Sequence, residues 1–514
     1  MNNLPSKVDV ESFRSVLTRG TGLRFDDAKL SFLAEVLATR IKETKSATTA
    51  AYLACVASTS QEVARLASIL TVSETYFFRD RNQFRALEAV LRNHQSSSPQ
   101  HLRMLSAGCA SGEEAYSLAM AIREVMPDPK RGMVSVTGVD LNPEAIEKAR
   151  AAAYTSWSMR ETPQDIQQKY FHKDGARFAL IDVVREMVRF QRENLAGPAN
   201  GLWRPDAFDI VFCRNVLMYF TSDAARAVVA RIARSLAPGG RLFLGHAENL
   251  RGLSQDFHLR HTHGTFYYER RATLHSDSDE TLHQPEPPAR VVEPSSALSP
   301  DASWFDAITR ASSRIAKLSR DAERDAGAEE RRERRTPLNH SLSVESAEDD
   351  LMPAMELMKE ERFQESLRLL AGTPSSADKQ PDILLLRAML LVSTGSPEGA
   401  ENLCNEILTI DELNAGAHYV LSICREHAGD RDSSVEHSQS AAYLDSEFAM
   451  PHLQLGRLAR RSGDTITARR ELALALGLLS REDAARIVLF GGGFSRDALI
   501  QLCRGELAAC GGHP

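Results

Sequence analysis

The length, composition and charge of the chain exclude several classes of protein. The 514 residues suffice for about three domains, and the 43% hydrophobic content is ordinary for a globular protein. We expect no direct membrane insertion and no signal peptide, because no apolar run approaches the roughly 18 residues of a membrane span. The net charge of −7 argues against nucleic acid as a partner. Seven scattered cysteines without a Cys-x-x-Cys pair predict reduced thiols in a cytoplasmic protein.

The first part of the chain has helical periodicity. Apolar residues recur at helical spacing in Phe32–Ile41 and Val63–Leu70, which predicts an all-α domain over residues 8–95. Arg40, Lys42 and Lys45, with Arg65 nearby, predict a basic surface on this domain. A solvated helix face accounts for these charges equally well.

Residues 96–271 alternate between apolar runs of strand length and helical stretches. This alternation predicts an α/β fold with a Rossmann-like doubly wound sheet and right-handed crossovers. The predicted strands are 102–106, 134–139, 186–191, 208–213, 241–245 and 265–269.

A small-residue turn, Ser106–Glu114, follows the first predicted strand, and Asp140 ends the second. This arrangement is typical of a nucleotide-binding βαβ unit, in which the acid binds ribose hydroxyls. Glu113 and Glu114 stand where a dinucleotide enzyme keeps the helix N-terminus open for phosphate, and two carboxylates would repel that anion. A ligand with ribose, adenine and positive charge fits better. The turn therefore predicts a methyltransferase that uses S-adenosylmethionine.

The composition changes after residue 271. Residues 272–345 are rich in Ser, Pro and charged residues, which predicts a flexible linker. In residues 346–480, Gly395, Gly429 and Gly463 recur every 34 residues. Small residues recur at the same 34-residue interval in two further sets. These small-residue columns are Ala400, Ser434 and Ala468, and Ala388, Ser422 and Gly456.

This period predicts tetratricopeptide repeats, in which small residues lie where helices touch. A weaker copy begins near Asp350, with Ala354, Phe363 and Ser366 in register. We expect the repeats to bind a protein partner through their concave surface; the alternative is that they only support the fold. Residues 481–514 form a predicted C-terminal helical tail.

Four segments together resemble the CheR family of chemoreceptor glutamate methyltransferases. They are Ser73–Asp80 (SETYFFRD), Ser106–Ser117 (SAGCASGEEAYS), Phe208–Phe220 (FDIVFCRNVLMYF) and Leu236–Asn249, which contains LGHAEN. The resemblance covers about residues 10–270 and implies a small β-subdomain within Phe171–Val188. Joined to tetratricopeptide repeats, the chain is similar to the variants of bacterial surface-sensing pathways of the Wsp type.

The resemblance also implies the site. Carried over by motif, the S-adenosylmethionine contacts fall on Ser73, Thr75, Arg79, Glu114, Asp140, Asn194, Leu195, Arg214 and Asn215. Asp140 is expected to accept the ribose hydroxyls, and Glu114 rather than Glu113 is expected to receive the amino group. Arg79 and Tyr219 are the expected catalytic residues, the first orienting the substrate carboxylate and the second contacting the sulfonium. Ser73 departs from the family, where Asn is frequent, as does Ala115, where Pro is usual.

Several of these residues have simpler interpretations. Tyr219 and Phe220 are also compatible with core aromatics, and Arg79 with a surface ion pair to Asp80. Phe77, Phe78 and Cys109 are interpreted as packing residues. His258, His261 and His263 invite a metal hypothesis, since a strand would place the last two on one face, but no acid or thiol accompanies them. We therefore expect no metal.

The leading hypothesis is an enzyme that forms methyl esters on glutamates in the cytoplasmic helices of a methyl-accepting chemoreceptor. One alternative is a methyltransferase that acts on a small carboxylic acid or on another protein. The alternative from a different class is a cofactor-sensing adaptor that assembles a signalling complex through its repeats. Arg79, Glu114, Asp140, Asn215 and Tyr219 are all present, which argues against an inactive enzyme.

Overall fold

The structure is a computed structural model. It describes residues 5–71, 74–97, 101–127, 133–198, 201–274, 348–360, 362–371, 380–492 and 494–511. The chain divides into two compact units, Met1–Ser278 and Asp279–Pro514. Each unit is described by itself.

The first unit begins with four helices, as the periodicity predicts: α1 (Lys7–Thr21), α2 (Leu30–Glu43), α3 (Thr49–Ser58) and α4 (Ser60–Leu70). Their apolar faces meet in a core that contains Phe13, Leu37 and Tyr52. Ser6 caps α1, since its hydroxyl accepts a bond from the N–H of Asp9 and the Asp9 carboxylate accepts one in return.

The predicted basic surface of the helical domain is wrong in one residue, which lies on α2. Arg40 is buried, because it follows Leu33 and Leu37 at helical spacing and so faces the core. There its guanidinium donates two hydrogen bonds of 2.8 Å to the Glu62 carboxylate, which also accepts one from Tyr52. A buried charge of this kind requires a partner and is unavailable to a ligand. Arg65, another residue of the predicted basic surface, is exposed and forms an ion pair with Glu144 at 2.6 Å.

The predicted doubly wound sheet is confirmed. Seven strands run in the order β6-β2-β1-β7-β8-β10-β9, where β6, β2, β1, β7 and β8 are parallel and β10 and β9 are antiparallel. The bounds are β1 (Leu102–Ala107), β2 (Val134–Asp140), β6 (Val188–Arg192), β7 (Phe208–Cys213), β8 (Leu236–Leu244), β9 (Phe257–Thr262) and β10 (Thr265–Arg270). The central strands are buried on both faces and read as near-continuous apolar runs.

Helices cover the sheet: α5 (Arg81–Ser97), α6 (Glu113–Val125), α7 (Pro143–Ala151), α8 (Gln164–Tyr170), α9 (Asp182–Arg185) and α10 (Ser222–Ser235). The apolar face of α5, with Phe84, Leu87 and Leu91, belongs to the core around the sheet and not to the core of α1–α4. Phe77 and Phe78 lie in the same core, as expected for packing residues.

The small β-subdomain is more extensive than the resemblance implies. Its strands β4 (Phe171–Asp174) and β5 (Arg177–Leu180) lie within the expected range of 171–188, but β3 (Ala153–Tyr154) comes from an earlier segment and pairs with β5. The three strands form an antiparallel sheet in the order β3-β5-β4. A two-residue turn, Gly175 and Ala176, joins β4 to β5, and Asp174 pairs directly with Arg177.

The three histidines do not share one face of a strand. The strand β9 ends at Thr262, and His263 lies in the following turn with a left-handed φ of 51°. Only His258 and His261 of this group therefore lie on the strand, and they lie on opposite faces because their positions differ by an odd number, three.

The second unit consists of antiparallel helix pairs. Its helices are α11 (Glu348–Lys359), α12 (Phe363–Ala371), α13 (Pro381–Ser393), α14 (Pro397–Ile410), α15 (Ala415–His427), α16 (Arg431–Leu444), α17 (Ala449–Arg461), α18 (Thr465–Leu479), α19 (Ala484–Phe490) and α20 (Arg496–Ala509). Gly395, Gly429 and Gly463 join the paired helices with φ values of 84°, 81° and 82°. This left-handed conformation favours glycine and explains the recurring residue.

The small-residue columns lie where paired helices touch, as predicted. A Cβ atom at Gly456 would stand 2.5 Å from the Leu472 side chain. The Ser434 hydroxyl donates to the carbonyl of Ser422 at 2.8 Å. Ser366 makes the same contact with Ala354 in the first helix pair, which confirms the weaker copy of the repeat.

Some predictions fall on residues that are not described. The predicted linker, 272–345, lies from residue 275 onward outside the described residues. Within the described part of the chain, none of the helices combines the length and apolar character that crossing a bilayer would require.

Candidate active site

A pocket opens at the carboxyl ends of the parallel strands in the first unit. This is where open α/β sheets bind ligands. It encloses about 1130 Å³ of empty space, including the part open to solvent. Its walls come from the turns after β1, β2, β6 and β7, from the segment before α5, and from residues 23–29 of the helical domain.

The pocket brings together the predicted site residues that the structure describes. Its lining includes Thr75, Arg79, Glu114, Asp140, Asn194, Leu195, Arg214, Asn215 and Tyr219. Ser73 lies outside the described residues. The neighbouring carboxylate Glu113 does not line the pocket: it is buried and accepts bonds from the hydroxyls of Ser111 (2.7 Å) and Ser158 (2.9 Å). The preference for Glu114 over Glu113 agrees with this placement.

Glu114 and Arg214 form a buried ion pair at the base of the pocket. Arg214 Nε donates to Glu114 Oε2 at 2.7 Å, and the Ser106 hydroxyl donates to Oε1 at 2.8 Å. Arg214 Nη1 also donates to the carbonyl of Arg79 (2.7 Å) and to Gln83 Oε1 (3.0 Å). Arg214 thus links the helix after β1 to the segment before α5 and fixes the orientation of the Glu114 carboxylate.

Asp140 is positioned by backbone donors. Its Oδ2 accepts the N–H of Ala110 at 3.0 Å, and its Oδ1 accepts the N–H of Asn142 at 2.8 Å. Burial raises the pKa of this carboxyl, although the backbone donors act in the opposite direction. Each carboxylate oxygen has a second lone pair for a ligand hydroxyl.

Arg79 and Tyr219 lie on different walls of the pocket. Among the described residues, the Arg79 side chain has no hydrogen-bond acceptor, and its recorded contact is the Tyr76 ring, 5.7 Å from Cζ to the centroid. Tyr219 is 37% exposed, so it is not a core aromatic, whereas Phe220 is buried. The simpler interpretation of Arg79 requires a surface ion pair with Asp80, and the described residues contain no such pair.

Asn194 and Leu195 follow β6, but the Asn194 amide already has partners. Its Nδ2 donates to the carbonyl of Gly20 at 2.9 Å, and its Oδ1 accepts the N–H of Ala196 at 3.1 Å. Leu195 is buried and offers an aliphatic wall. Asn194 therefore also ties the helical domain to the sheet.

Sequence reasoning missed the contribution of the helical domain to the pocket. Leu23, Arg24, Phe25 and Lys29 line it. Two backbone bonds hold this segment against the turn after β7: the N–H of Arg24 donates to the carbonyl of Tyr219 (2.7 Å), and that of Thr221 to Gly22 (3.0 Å). No motif marks these residues, because their contacts join parts of the chain about 195 residues apart.

Glu248, in the LGHAEN motif, has a structural role that the sequence does not predict. Its buried carboxylate accepts four backbone N–H bonds, from Asn215 (2.6 Å), Val216 (2.8 Å), Met218 (3.2 Å) and Gly245 (2.8 Å). It thereby shapes the turn that carries Tyr219. Asn215 has a left-handed φ of 58° in this turn, a conformation that asparagine tolerates better than most residues.

Substituting Glu248→Ala is expected to lower the free energy of unfolding by about 2–3 kcal/mol, because buried N–H groups lose their acceptor. The turn with Tyr219 should loosen, so methyl transfer should fall more than stability alone explains. Denaturant unfolding and kcat at a temperature where the variant is folded measure the two effects. A normal free energy of unfolding together with a normal kcat would show that the four backbone bonds to Glu248 are dispensable.

Steric crowding explains why residue 108, in the turn after β1, is a glycine. Gly108 has a φ of 82°, and a Cβ there would lie 2.3 Å from Val216 Cγ2. Only glycine lets the turn after β1 approach the turn after β7 so closely. Cys109, next to it, is buried, and burial raises the pKa of its thiol well above the ordinary value, as befits a packing residue.

Comparison with known proteins agrees with this geometry. Residues 73–266 match the family model described as CheR methyltransferase, SAM binding domain. Chemotaxis protein methyltransferase 2 of Vibrio cholerae serotype O1 is 33% identical over 264 residues, which cover 50% of this chain and 91% of that protein. Chemotaxis protein methyltransferase 1 of Pseudomonas aeruginosa is 35% identical over 198 residues, 37% of this chain and 71% of that protein.

Among solved structures, a magnesium protoporphyrin IX methyltransferase from Synechocystis PCC 6803 with bound SAM is 16% identical, with a TM-score of 0.22, over 42% of this chain and 92% of that chain. A MamA protein is 15% identical, with a TM-score of 0.23, over 32% of this chain and 91% of that chain. The coverage and identity of the Vibrio cholerae relative, together with the matched cofactor domain, are sufficient: the chain belongs to the CheR family of chemotaxis protein methyltransferases and is an enzyme that uses S-adenosylmethionine.

Proposed function

We propose that this protein methylates glutamate side chains in the cytoplasmic helices of a chemoreceptor, giving methyl esters that tune receptor signalling. The observation that carries the proposal is the convergence of Arg79, Glu114, Asp140, Arg214 and Tyr219 on one pocket. These residues come from four separate segments, and the pocket that they line belongs to a family of chemotaxis protein methyltransferases.

The residues of the pocket fit S-adenosylmethionine. Asp140, at the end of β2, offers two oxygens for ribose hydroxyls. Glu114 has a fixed carboxylate for the amino group, and Thr75 lines the same pocket. Leu195 offers an apolar wall for adenine, with Asn194 beside it. Asn215, beside Arg214, completes the proposed set of cofactor contacts, and Ser73 stays a prediction.

The reaction needs alignment more than acid–base catalysis. When bound, the cofactor supplies a methyl group activated by a sulfonium. A glutamate carboxylate, ionised at neutral pH, would accept that methyl group as the carbon–sulfur bond breaks. The products would be an ester and a neutral thioether, so the chain's residues would not need to move a proton. Positioning alone can supply several kcal/mol in such a step.

Arg79 and Tyr219 are the proposed catalytic residues. The Arg79 guanidinium, without an acceptor among the described residues, is available to orient the incoming carboxylate through one edge of its fork. Tyr219 lines the same pocket, and its ring or hydroxyl would contact the sulfonium, where a cation–π contact would stabilise positive charge. Both residues thus hold reactants in line.

The repeats of the second unit are proposed to bind a protein partner. Consecutive helix pairs from α13 to α18 keep the 34-residue period that stacks into a solenoid with a concave surface. Such a surface is the usual peptide-binding face of this class of repeat. Both the existence of this partner and its relation to the receptor are part of what we propose.

Transfer of radiolabelled methyl tests the proposal. The full chain, labelled S-adenosylmethionine and the purified cytoplasmic fragment of a chemoreceptor from the same organism should give labelled receptor. Mild base should release the label as methanol, since esters hydrolyse and methylated amines do not. Base-stable label, or no transfer despite tight cofactor binding, would contradict glutamate methylation.

A further inference from the structure

An exposed stack of an arginine between two aromatic rings lies in the first unit. The Arg160 guanidinium carbon stands 3.7 Å from the Tyr76 ring centroid and 4.3 Å from that of Trp157. Trp157 is 62% exposed, more than any other large aromatic side chain in the described residues. We call Tyr76, Trp157 and Arg160 the Arg160 stack.

The Arg160 stack is held rigidly. Arg160 Nη1 donates to the carbonyl of Trp157 at 2.8 Å. Between these two residues, the carbonyl of Ser158 accepts the N–H of Phe77 at 3.0 Å, and the Ser158 hydroxyl donates to Glu113 at 2.9 Å. The turn is therefore fixed to the segment before α5 and to the start of α6. Groups fixed in advance lose little entropy when a partner binds.

The stack adjoins the pocket. Arg79, which lines the pocket, has its guanidinium carbon 5.7 Å from the centroid of the same Tyr76 ring. The guanidinium groups of Arg79 and Arg160 both lie within 6 Å of this ring, so they are separated by no more than two helical turns, about 11 Å. A helix can therefore present one carboxylate to each.

Glu74 is the present partner of Arg160. The two groups are 3.6 Å apart, and the Glu74 side chain is 64% exposed. Charge-assisted bonds of this type are about 2.7–2.9 Å when well formed, so this contact is weak. The Arg160 side chain is 25% exposed, but a pair at such a distance with an exposed carboxylate contributes little and is readily exchanged for a better-placed carboxylate.

We propose that the Arg160 stack binds a second carboxylate of the substrate helix, one or two turns from the glutamate that is methylated. The proposal rests on the proposed function for the identity of the substrate. Arg160 supplies charge-assisted donors, and Trp157 supplies apolar contact for the helix backbone and aliphatic stems. Tryptophan, tyrosine and arginine are the residues that most often dominate binding energy at protein interfaces. The stack thereby selects glutamates that have an acidic neighbour at this spacing.

Binding of defined peptides tests the proposal without requiring methyl transfer. The probe is a fluorescently labelled, alanine-rich helical peptide of about 20 residues. It has one central glutamate and a second glutamate four or seven residues away, and its control has glutamine at the second position. Anisotropy is measured with the full chain and saturating S-adenosylhomocysteine. The control should bind the wild-type protein about tenfold more weakly than at least one of the two-glutamate peptides.

Substitutions in the stack should weaken peptide binding in two distinguishable ways. Arg160→Ala should raise Kd about tenfold for the two-glutamate peptide and leave the glutamine control unchanged, whereas Trp157→Ala should raise Kd about tenfold for both peptides, because both offer the same apolar contact to the indole ring. Arg160→Lys should lose most of the preference for the two-glutamate peptide. Lysine keeps the charge, but it neither stacks on the aromatic rings nor forms a bidentate pair with a carboxylate. Glu74→Gln should strengthen binding by removing the competing carboxylate. Arg92→Ala, in an exposed pair with Glu88 on α5, is the matched control and should change nothing.

Equal binding of the two-glutamate and glutamine peptides to the wild-type protein would overturn the proposal. So would equal affinities of wild type, Trp157→Ala and Arg160→Ala with unchanged affinity for S-adenosylhomocysteine. If the stack discriminates the peptides but no receptor fragment accepts methyl, the inference stands and the proposed substrate fails. With an active receptor fragment, both variants should raise KM about tenfold and change kcat little.

Discussion

Substituting Arg79→Ala is expected to lower kcat for methyl transfer about 100-fold, a barrier increase of about 2.7 kcal/mol. Arg79 lines the pocket and its guanidinium has no acceptor among the described residues, so its proposed task is to orient the substrate carboxylate. Without it, the carboxylate samples orientations that are not in line with the methyl group. Steady-state kinetics with S-adenosylmethionine and a receptor fragment measure this loss.

Two comparisons separate orientation from folding and cofactor binding. Arg79→Lys keeps the charge without the fork and should recover only part of kcat. Calorimetric Kd for S-adenosylmethionine should rise by no more than about tenfold in Arg79→Ala, the cost of one charged hydrogen bond. Arg92→Ala should match the wild type. A kcat within twofold of wild type for Arg79→Ala would rule out this role.

The second large effect is expected at the Glu114–Arg214 pair. Substituting Arg214→Ala leaves the Glu114 carboxylate buried without its cation and should lower the free energy of unfolding by about 3–5 kcal/mol. The carbonyl of Arg79 and the Gln83 side chain lose a donor in the same variant. Denaturant unfolding measures the stability, and calorimetry should detect no cofactor binding.

A double substitution distinguishes the structural role of the pair from its ligand-binding role. Replacing both partners with apolar residues of similar size, Glu114→Leu with Arg214→Met, removes the uncompensated charge and should restore part of the lost stability. Cofactor binding should stay absent, because the amino group has lost its acceptor. A double variant that binds S-adenosylmethionine normally, or that is less stable than Arg214→Ala, would contradict this account.

Local pattern was sufficient for much of the molecule. The strand-length apolar runs predict the parallel strands because strands buried on both faces need continuous apolar residues. The 34-residue glycine period predicts the helix pairs because each turn needs a left-handed residue. The acids of the cofactor turn predict the cofactor because their charge excludes a phosphate at that helix start. In each case the physical requirement acts within one segment.

Residues whose role depends on distant partners escaped prediction or were misread. The charge of Arg40 predicts a surface position, but the side chain pairs with the buried Glu62, 22 residues away. Glu248 had no assigned role, because its four donors lie on two separate turns. The Arg160 stack joins Tyr76 to a turn some 80 residues later, and neither segment reveals it alone.

The primary structure therefore specified the order of elements, the cofactor turn, the repeat period and the family motifs. Each of these depends on spacing within a single strand, helix or turn. The tertiary structure decided which charges face the pocket, which are buried as pairs, and how residues 23–29 of the helical domain help to line the site. The reason is that burial and pairing are set by which segments meet, and long-range contacts leave no periodic signal in the chain.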